Sequence, residues 1–268
     1  MKFAGHMLAL LLATALSLGI SNYVLSQTIW SAPYLEKAAD KTQLYDHLAT
    51  GIPGTFAAAN PGQPGNKLPI LDPALIKTQI TTLLPQFIDH LHNGGPVPSV
   101  DLAALAAATG QQPPQGATTA PISLGPADPQ VVALNHELRP YGDFAFLGAL
   151  VMALLIIGVM RERRLPTLAR AAFETGGALA ISAGLAWFIP SLFMQALSKP
   201  EMVPIRDAVA PFLAAAGQGI ALWFGTAAAA MLVLSIALMA AHSAGRLKAR
   251  FTKTPKSAKT PFPGLSRS

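Results

Sequence analysis

Residues 175–198 read TGGALAISAGLAWFIPSLFMQALS, a stretch without Asp, Glu, Lys or Arg. An α-helix needs about 20 predominantly apolar residues to cross the hydrocarbon of a bilayer. Three other long apolar stretches share this property: Phe3–Leu25, Phe144–Met160 and Ala208–Ala241. The sequence therefore predicts an all-α protein built on a four-helix transmembrane bundle.

The composition of the chain also favours a bilayer. Of its 268 residues, 51% are hydrophobic and 12% are charged, which is about half of the charged fraction usual in a soluble domain. The chain has no cysteine, which excludes disulfide scaffolds, thiolate metal sites and cysteine nucleophiles.

The first and the fourth stretch each raise a question. Lys2 and the apolar residues after it also fit a secretory signal peptide. No clear small-x-small cleavage site follows, and the run continues to Leu25, which favours a retained membrane anchor. The fourth stretch is too long for one straight crossing, so we expect an interfacial turn near Pro211 and a crossing over about residues 217–242.

The distribution of basic residues predicts the orientation. Arg161, Arg163 and Arg164 lie between the second and third stretches, and the segment 243–268 is rich in Lys and Arg without an acid. Cytoplasmic loops carry the excess of basic residues, so both segments are expected inside. The predicted parts are an N-terminal anchor (1–27), an extracytoplasmic helical cap (28–142), a three-span region (143–242) and a basic cytoplasmic tail (243–268). This describes a multi-pass protein of the cell (inner or plasma) membrane, with both termini cytoplasmic if the first span is retained.

The region between the first two stretches contains helix signals. Apolar residues at helical spacing over 34–48 predict a first helix, which Gly51, Pro53 and Gly54 are expected to end. Asp72 as N-cap and Pro73 at the first helical position predict a second helix.

Other signals bound the remaining cap helices. The second helix is expected to be kinked or split at Pro85 and to end at Asn93-Gly94-Gly95-Pro96. Ser99 is expected to cap a third helix, and Asp128 with Pro129 to start a last one toward the membrane. Residues 110–126 have the composition of a flexible segment. Because a cap of this size buries little surface alone, we expect it to lean on the outer ends of the spans.

Several short motifs follow one another along the chain. After an N-terminal span come Leu44-Tyr45-Asp46-His47-Leu48, Leu71-Asp72-Pro73, Leu91-His92-Asn93-Gly94-Gly95 and Val100-Asp101-Leu102, with three more spans closing the chain. This order resembles a group of uncharacterised bacterial four-span membrane proteins with a large first extracytoplasmic loop. The resemblance covers most of the chain and implies a bacterial envelope setting, but it implies no activity and no ligand site.

Asp89 and His92 come nearest to a reactive cluster. At i,i+3 on a helix they share a face and could hold one metal ion, but a zinc site needs three or four ligands. The sequence contains no His-Glu-x-x-His, Gly-x-Ser-x-Gly or P-loop motif. We therefore expect no metal, no cofactor, no catalytic residues and no enzymatic activity, and we interpret the pair as polar residues at a solvated helix end.

Glu174 is the carboxylate closest to the membrane interior. An intramembrane acid is by default a hypothesis for proton or cation movement. Glu174 lies four residues after Arg170, however, so an interfacial ion pair is the alternative that we favour. Pro190 is expected to kink the third span, which gives a transport hypothesis some further support.

Small residues recur every fourth position on two of the spans. Gly176 and Gly184 lie in one such ladder, and Gly217 and Gly225 lie in another. Such faces allow helix backbones to approach closely. We expect the third and fourth spans to pack on each other through these glycines, and a homo-oligomer face is the alternative.

The basic tail and the charge pattern complete the functional hypotheses. The tail is expected to bind anionic lipid headgroups and to remain disordered, and it carries no recognisable nucleic-acid-binding fold. The leading hypothesis is a non-enzymatic interaction, assembly or sensor-like protein of the bacterial envelope, with an extracytoplasmic protein partner. The alternatives are a transporter or channel component that uses the kinked third span and Glu174, and an enzyme with its site in the cap.

Overall fold

The computed structural model describes residues 2–59, 71–101, 119–121, 128–161 and 163–251. In these ranges the chain is helical apart from one pair of short strands, so the predicted all-α class is confirmed. The elements are α1 (Lys2–Gln27), α2 (Ala32–Lys41), α3 (Leu44–Ala59), α4 (Pro73–Asn93), β1 (Ser99–Asp101), β2 (Thr119–Pro121), α5 (Asp128–Val159), α6 (Arg164–Ala196), a 3-10 turn (Pro200–Met202) and α7 (Val203–Phe251).

Four of these helices are long and apolar enough to cross a membrane. They contain the candidate spans Phe3–Gln27, Pro140–Val159, Arg164–Gln195 and Val203–Lys248. The prediction of four such helices is confirmed, and the chain has the helices of a multi-pass membrane protein.

Helix α7 is longer than expected and is not interrupted. It is a single helix of 49 residues with Pro211 inside it, so the predicted interfacial turn near Pro211 is wrong. An internal proline costs a helix about 3 kcal/mol, and the packing of α7 against α3 and α6 offsets this cost. The helix also crosses the predicted boundary at residue 243, so the first part of the tail, through Phe251, is helical. Residues 252–268 lie outside the described ranges.

Helix α5 joins a predicted cap helix to a span. It begins at Asp128, as predicted, and continues as one helix of 32 residues through Pro140 to Val159. The predicted boundary at residue 142 therefore falls within a helix.

The first predicted cap helix is interrupted. At the end of α2 the hydroxyl of Thr42 donates to the carbonyl of Ala38 at 2.9 Å, and Gln43 adopts a left-handed φ of 51°. This residue turns the chain between α2 and α3, and no glycine or proline marks the turn.

Helix α3 extends beyond its predicted end. Gly51, Pro53 and Gly54 lie inside it rather than after it. A Cβ on Gly51 would lie 2.8 Å from the carbonyl oxygen of Pro204, and one on Gly54 would lie 3.0 Å from the Cβ of Pro204. The two glycines therefore allow α3 to approach the start of α7, and this tertiary contact overrides their local tendency to end a helix.

Both ends of α4 are the predicted ones. The carboxylate of Asp72 accepts a hydrogen bond from the backbone N–H of Ala74 at 3.0 Å. At the other end Gly94 has a φ of 72° and donates to the carbonyl of His90 at 3.0 Å, a left-handed C-cap. Pro85 lies inside the helix and does not split it.

Ser99, the expected cap of a third helix, lies in a short strand. Ser99–Asp101 pairs antiparallel with Thr119–Pro121, so Ser99 caps no helix. Within the segment predicted to be flexible, residues 119–121 are therefore a strand. The predicted helix positions Leu102, Leu105 and Ala106, and the Pro/Gly loop at 60–65, lie outside the described residues.

Helices α6 and α7 pack on each other more extensively than any other pair of helices in the described ranges. A Cβ on Gly217 would lie 2.6 Å from the Cγ of Pro190 and 3.1 Å from the carbonyl oxygen of Ala186. A Cβ on Gly176 would lie 3.0 Å from the Cγ of Leu232. The two helices pack on each other along their length, as predicted.

The other two glycines of the ladders lie outside this contact. A Cβ on Gly184 or on Gly225 would meet no atom within 4 Å. A ladder with a step of four residues turns by about 40° around the helix at each step, because one residue turns by about 100°. The observed contact instead follows alternating steps of three and four residues, the spacing of left-handed helix pairs, at Gly176, Leu179, Ala183, Ala186 and Pro190.

Helix α1 packs along α5 and α6. Ala9 and Val24 are among its buried residues. The ring of Phe146 on α5 would lie 3.1 Å from a Cβ on Gly19. The side chain of Asn22 would lie 2.6 Å from a Cβ on Gly142, so glycines admit close contact on both sides of the α1–α5 pair.

We expect Gly217→Ala to destabilise the bundle by about 1–3 kcal/mol, because the added methyl group overlaps Pro190 and the structure must shift. Gly225→Ala is the matched control, since it adds the same methyl group on the same helix in open space. Thermal unfolding of the two full-length variants in detergent measures the difference. Equal transition temperatures would contradict the assigned packing.

Candidate functional site

A charged cluster lies in the first third of α6. The Nε of Arg170 donates to Oε1 of Glu174 at 2.7 Å, the ion pair expected from their spacing. The guanidinium of Arg170 also lies against the imidazole of His6 on α1. The Oε2 atom of Glu174 is buried and has no hydrogen-bond partner. The cluster therefore joins α1 to α6 and leaves one carboxylate oxygen unsatisfied.

A cleft opens beside this cluster. It has a volume of about 220 Å³ and is lined by Gly5, His6, Met160, Arg163, Pro166, Thr167 and Arg170. Glu174 is not among the lining residues, because it lies one helical turn further into the bundle than Arg170. Solvent in the cleft therefore meets the basic partner and not the carboxylate.

Pro190 does not open a gap in the bundle. Helix α6 runs through it from Arg164 to Ala196. Its ring fills the space above Gly217 on α7, as the distances given above show. A broken helix with free backbone groups, the usual feature of a transporter site, is not formed at this position.

Three buried hydroxyl groups of the bundle donate to backbone carbonyls. Thr28 donates to Val24 at 2.7 Å, and Thr175 donates to Ala171 at 2.9 Å. Ser235 on α7 donates across the helix pair to the carbonyl of Ala169 on α6 at 2.8 Å. These hydroxyls thus serve helix packing and leave no polar path through the interior that they line.

Asp89 and His92 have separate partners. Asp89 accepts a hydrogen bond from the side-chain amide of Asn93 at 2.7 Å. The ring of His92 stacks on Trp30, with the ring centroids 5.0 Å apart. The described residues hold no group of three or more His, Asp or Glu side chains that could bind a metal ion.

Helices α2, α3 and α4 form a layer on the first half of α7, which we call the α2–α4 layer. Its core consists of Ala39, Leu44, Tyr45, Ala49, Leu71 and Ile76, packed with Val209 and Phe212 of α7. The hydroxyl of Tyr34 on α2 donates to the carbonyl of Ala216 on α7 at 3.2 Å. With the α3 contact at Pro204, the layer is attached to α7 at three separate points.

Electrostatic contacts within the α2–α4 layer are exposed. Lys77 pairs with Asp40 at 2.7 Å and lies 5.5 Å from the centre of the Tyr45 ring. The hydrogen bond to Asp40 raises the pKa of Lys77. Because both side chains are about half exposed, solvent screens the pair and it contributes little to stability. Apolar packing, rather than this ion pair, holds the layer together.

Two tyrosines in the α2–α4 layer differ in whether their hydroxyl group makes a hydrogen bond. Burial raises the pKa of both Tyr34 and Tyr45. The hydroxyl of Tyr34 has its partner on α7, whereas the hydroxyl of Tyr45 is buried and makes no hydrogen bond.

Sequence patterns did not reveal two of the residues in these contacts. His6 lies in an apolar stretch, and only the packing of α1 beside α6 brings it to Arg170. Tyr34 is recognisable as an aromatic residue after the first span, but its hydrogen bond to α7 joins residues 182 positions apart. No protein-family model, curated protein or solved structure matches the chain.

We expect Tyr34→Phe to lower the free energy of unfolding by about 1 kcal/mol, because it removes the hydrogen bond to Ala216. Tyr45→Phe should leave stability unchanged or raise it, because it removes a buried hydroxyl that has no partner. Chemical or thermal unfolding of the full chain in detergent compares the two. A larger loss from Tyr45→Phe than from Tyr34→Phe would refute the assignment.

Proposed function

We propose that this chain is a non-enzymatic interaction or assembly protein of the bacterial cell envelope. In this proposal the four-span bundle is a membrane base, and the α2–α4 layer is an extracytoplasmic cap that meets a protein partner. The observation that carries the proposal is the attachment of the α2–α4 layer to α7 at Pro204, Ala216 and the Val209–Phe212 cluster. A layer held at three points presents its outer side chains in a fixed arrangement, which lowers the cost of binding.

The outer face of α4 is available for such a partner. Thr78, Thr82 and Gln86 are exposed on it, while Ile76 and Leu91 face inward. A partner contact would therefore use polar side chains on a helix that is anchored from behind.

Transport by the bundle is the alternative, and one observation favours it: Oε2 of Glu174 is buried without a partner. Three features weigh against it. Glu174 is paired with Arg170, Pro190 is packed on Gly217, and the buried hydroxyls of Thr28, Thr175 and Ser235 donate to backbone carbonyls. A proton or cation pathway needs polar groups at mid-depth, and the described interior is lined mainly by alanine and larger apolar side chains.

The proposal places both termini and the Arg161–Arg164 loop in the cytoplasm of a cell with an inner or plasma membrane. Support comes from the positive-inside rule and the basic residues on that loop and after residue 243. The packing of α1 against α5 and α6 supports its retention as an anchor, since Ala9 and Val24 are buried there.

This orientation has a direct test, because the chain contains no cysteine. We expect Gln86→Cys on α4 to react with a membrane-impermeant maleimide added to intact cells. Ser243→Cys on α7, which is also exposed, should react only after the membrane is permeabilised. The reverse pattern would invert the topology.

Site-specific photocrosslinking tests the partner contact. A photoreactive amino acid at Gln86 should give a discrete protein adduct in living cells. Leu222, an exposed apolar residue of α7, is the control position and should give no such adduct.

We further expect Glu174→Gln to leave proteoliposome ion flux at the level of empty vesicles, as for the unmodified protein. Absence of the adduct, together with an ion flux that Glu174→Gln abolishes, would replace the proposal with the transport alternative.

A further inference from the structure

A second cleft lies where the α5–α6 loop meets the last part of α7. Its volume is about 260 Å³. The residues that line it are Arg161, Arg164, Leu165, Ala241, His242, Gly245 and Arg246. Three guanidinium groups and an imidazole thus surround an opening whose remaining lining is small or apolar.

The three arginines of this cleft are not neutralised by the described residues. Arg170 and Arg206 each pair with a carboxylate, Glu174 and Asp207 respectively. In the described ranges no ion pair is formed by Arg161, Arg164 or Arg246. The acid of the same loop, Glu162, lies outside those ranges. The cleft therefore concentrates positive charge that has no protein counter-ion among the residues described.

The length of the second span places this cleft relative to the membrane. The span Pro140–Val159 has 20 residues and is about 30 Å long at 1.5 Å per residue, so it matches the hydrocarbon core of about 30 Å. Arg161 follows this span closely and is therefore held at the level of the lipid headgroups. Arg164 and Arg246 line the same cleft, so they are held near this level as well.

We propose that this cleft binds the phosphate group of an anionic glycerophospholipid, with Arg161, Arg164 and Arg246 as its ligands. Guanidinium groups donate paired hydrogen bonds to phosphate oxygens, and basic pockets between transmembrane helices bind anionic headgroups. Leu165 and Ala241 offer apolar contact to the first part of an acyl chain. The inference is independent of the proposed partner of the α2–α4 layer.

The first cleft is less suited to this role, although it also contains arginines. Arg170 in that cleft is already engaged by Glu174, which lowers its net attraction for an anion. Arg163 lines that first cleft and belongs to the same loop as Arg161 and Arg164. It is therefore a matched control that removes one positive charge without changing the second cleft.

Lipid binding to the purified full-length protein tests the proposal. Native mass spectrometry or titration in zwitterionic nanodiscs measures retention of phosphatidylglycerol against phosphatidylcholine. Each of Arg161→Gln, Arg164→Gln and Arg246→Gln should weaken phosphatidylglycerol binding about fivefold, the factor that corresponds to about 1 kcal/mol per interfacial basic residue. Arg163→Gln should change it less than twofold.

A variant that leaves the charge unchanged separates a loss of lipid binding from an effect on the membrane insertion of the protein. Gly245 lines the cleft and a Cβ on it meets no atom within 4 Å, so we expect the side chain of Gly245→Leu to occupy part of the cleft without changing its charge. It should also weaken phosphatidylglycerol binding, while helicity and detergent stability stay unchanged.

Three results would overturn the inference. Equal losses from Arg163→Gln and Arg161→Gln would mean that only net charge matters. Unchanged binding by Gly245→Leu would exclude the cleft. If inorganic phosphate bound to the three arginines as strongly as phosphatidylglycerol does, the cleft would be assigned to a soluble anion instead of a lipid.

Discussion

The close packing of α6 on α7 is the contact on which the other features depend. Glycines at 176 and 217 let the two backbones approach, and Ser235 adds a hydrogen bond across the pair. In a bilayer the apolar solvent gives no hydrophobic drive between helices, so close van der Waals contact must hold them. One end of α7 then receives the α2–α4 layer, and the other end brings Arg246 to the α5–α6 loop. Loosening the contact between α6 and α7 would therefore disturb the α2–α4 layer at one end of α7 and the arginine cleft at the other end.

Charge is used differently at the two ends of the bundle. Near the start of α6, Arg170 is paired with Glu174 and touches His6, so its charge is balanced within the protein. Beside it, Arg161, Arg164 and Arg246 have no described counter-ion. In the α2–α4 layer the pair of Lys77 and Asp40 is exposed and screened. Of these charged groups, the unbalanced arginines are the ones placed to attract an external anion.

Local sequence signals predicted the parts of the structure that depend on neighbours along the chain. Asp72 caps α4, Gly94 ends it, and Arg170 meets Glu174 because each depends on residues within four or five positions. The four spans followed from length and composition alone.

Those local signals could not predict contacts between elements that are far apart in the sequence. Helix α3 continues past Gly51, and helix α7 continues past Pro211, because each packs against helices from elsewhere in the chain. The small-residue ladders identified the correct pair of helices, but only two of the four glycines named in them make the contact. A step of four residues drifts around a helix, whereas packed helices keep a mean step of 3.5.

The unbroken course of α7 has a mechanical consequence. At 1.5 Å per residue a helix of 49 residues is about 74 Å long, more than twice the thickness of the hydrocarbon core. It is clamped near one end by Tyr34 and α3, and it carries Arg246 near the other. A tilt of about 5° around its middle would displace each end by about 3 Å at this length. A load applied to the α2–α4 layer would thus reach the arginines at the other end through a single unbroken helix.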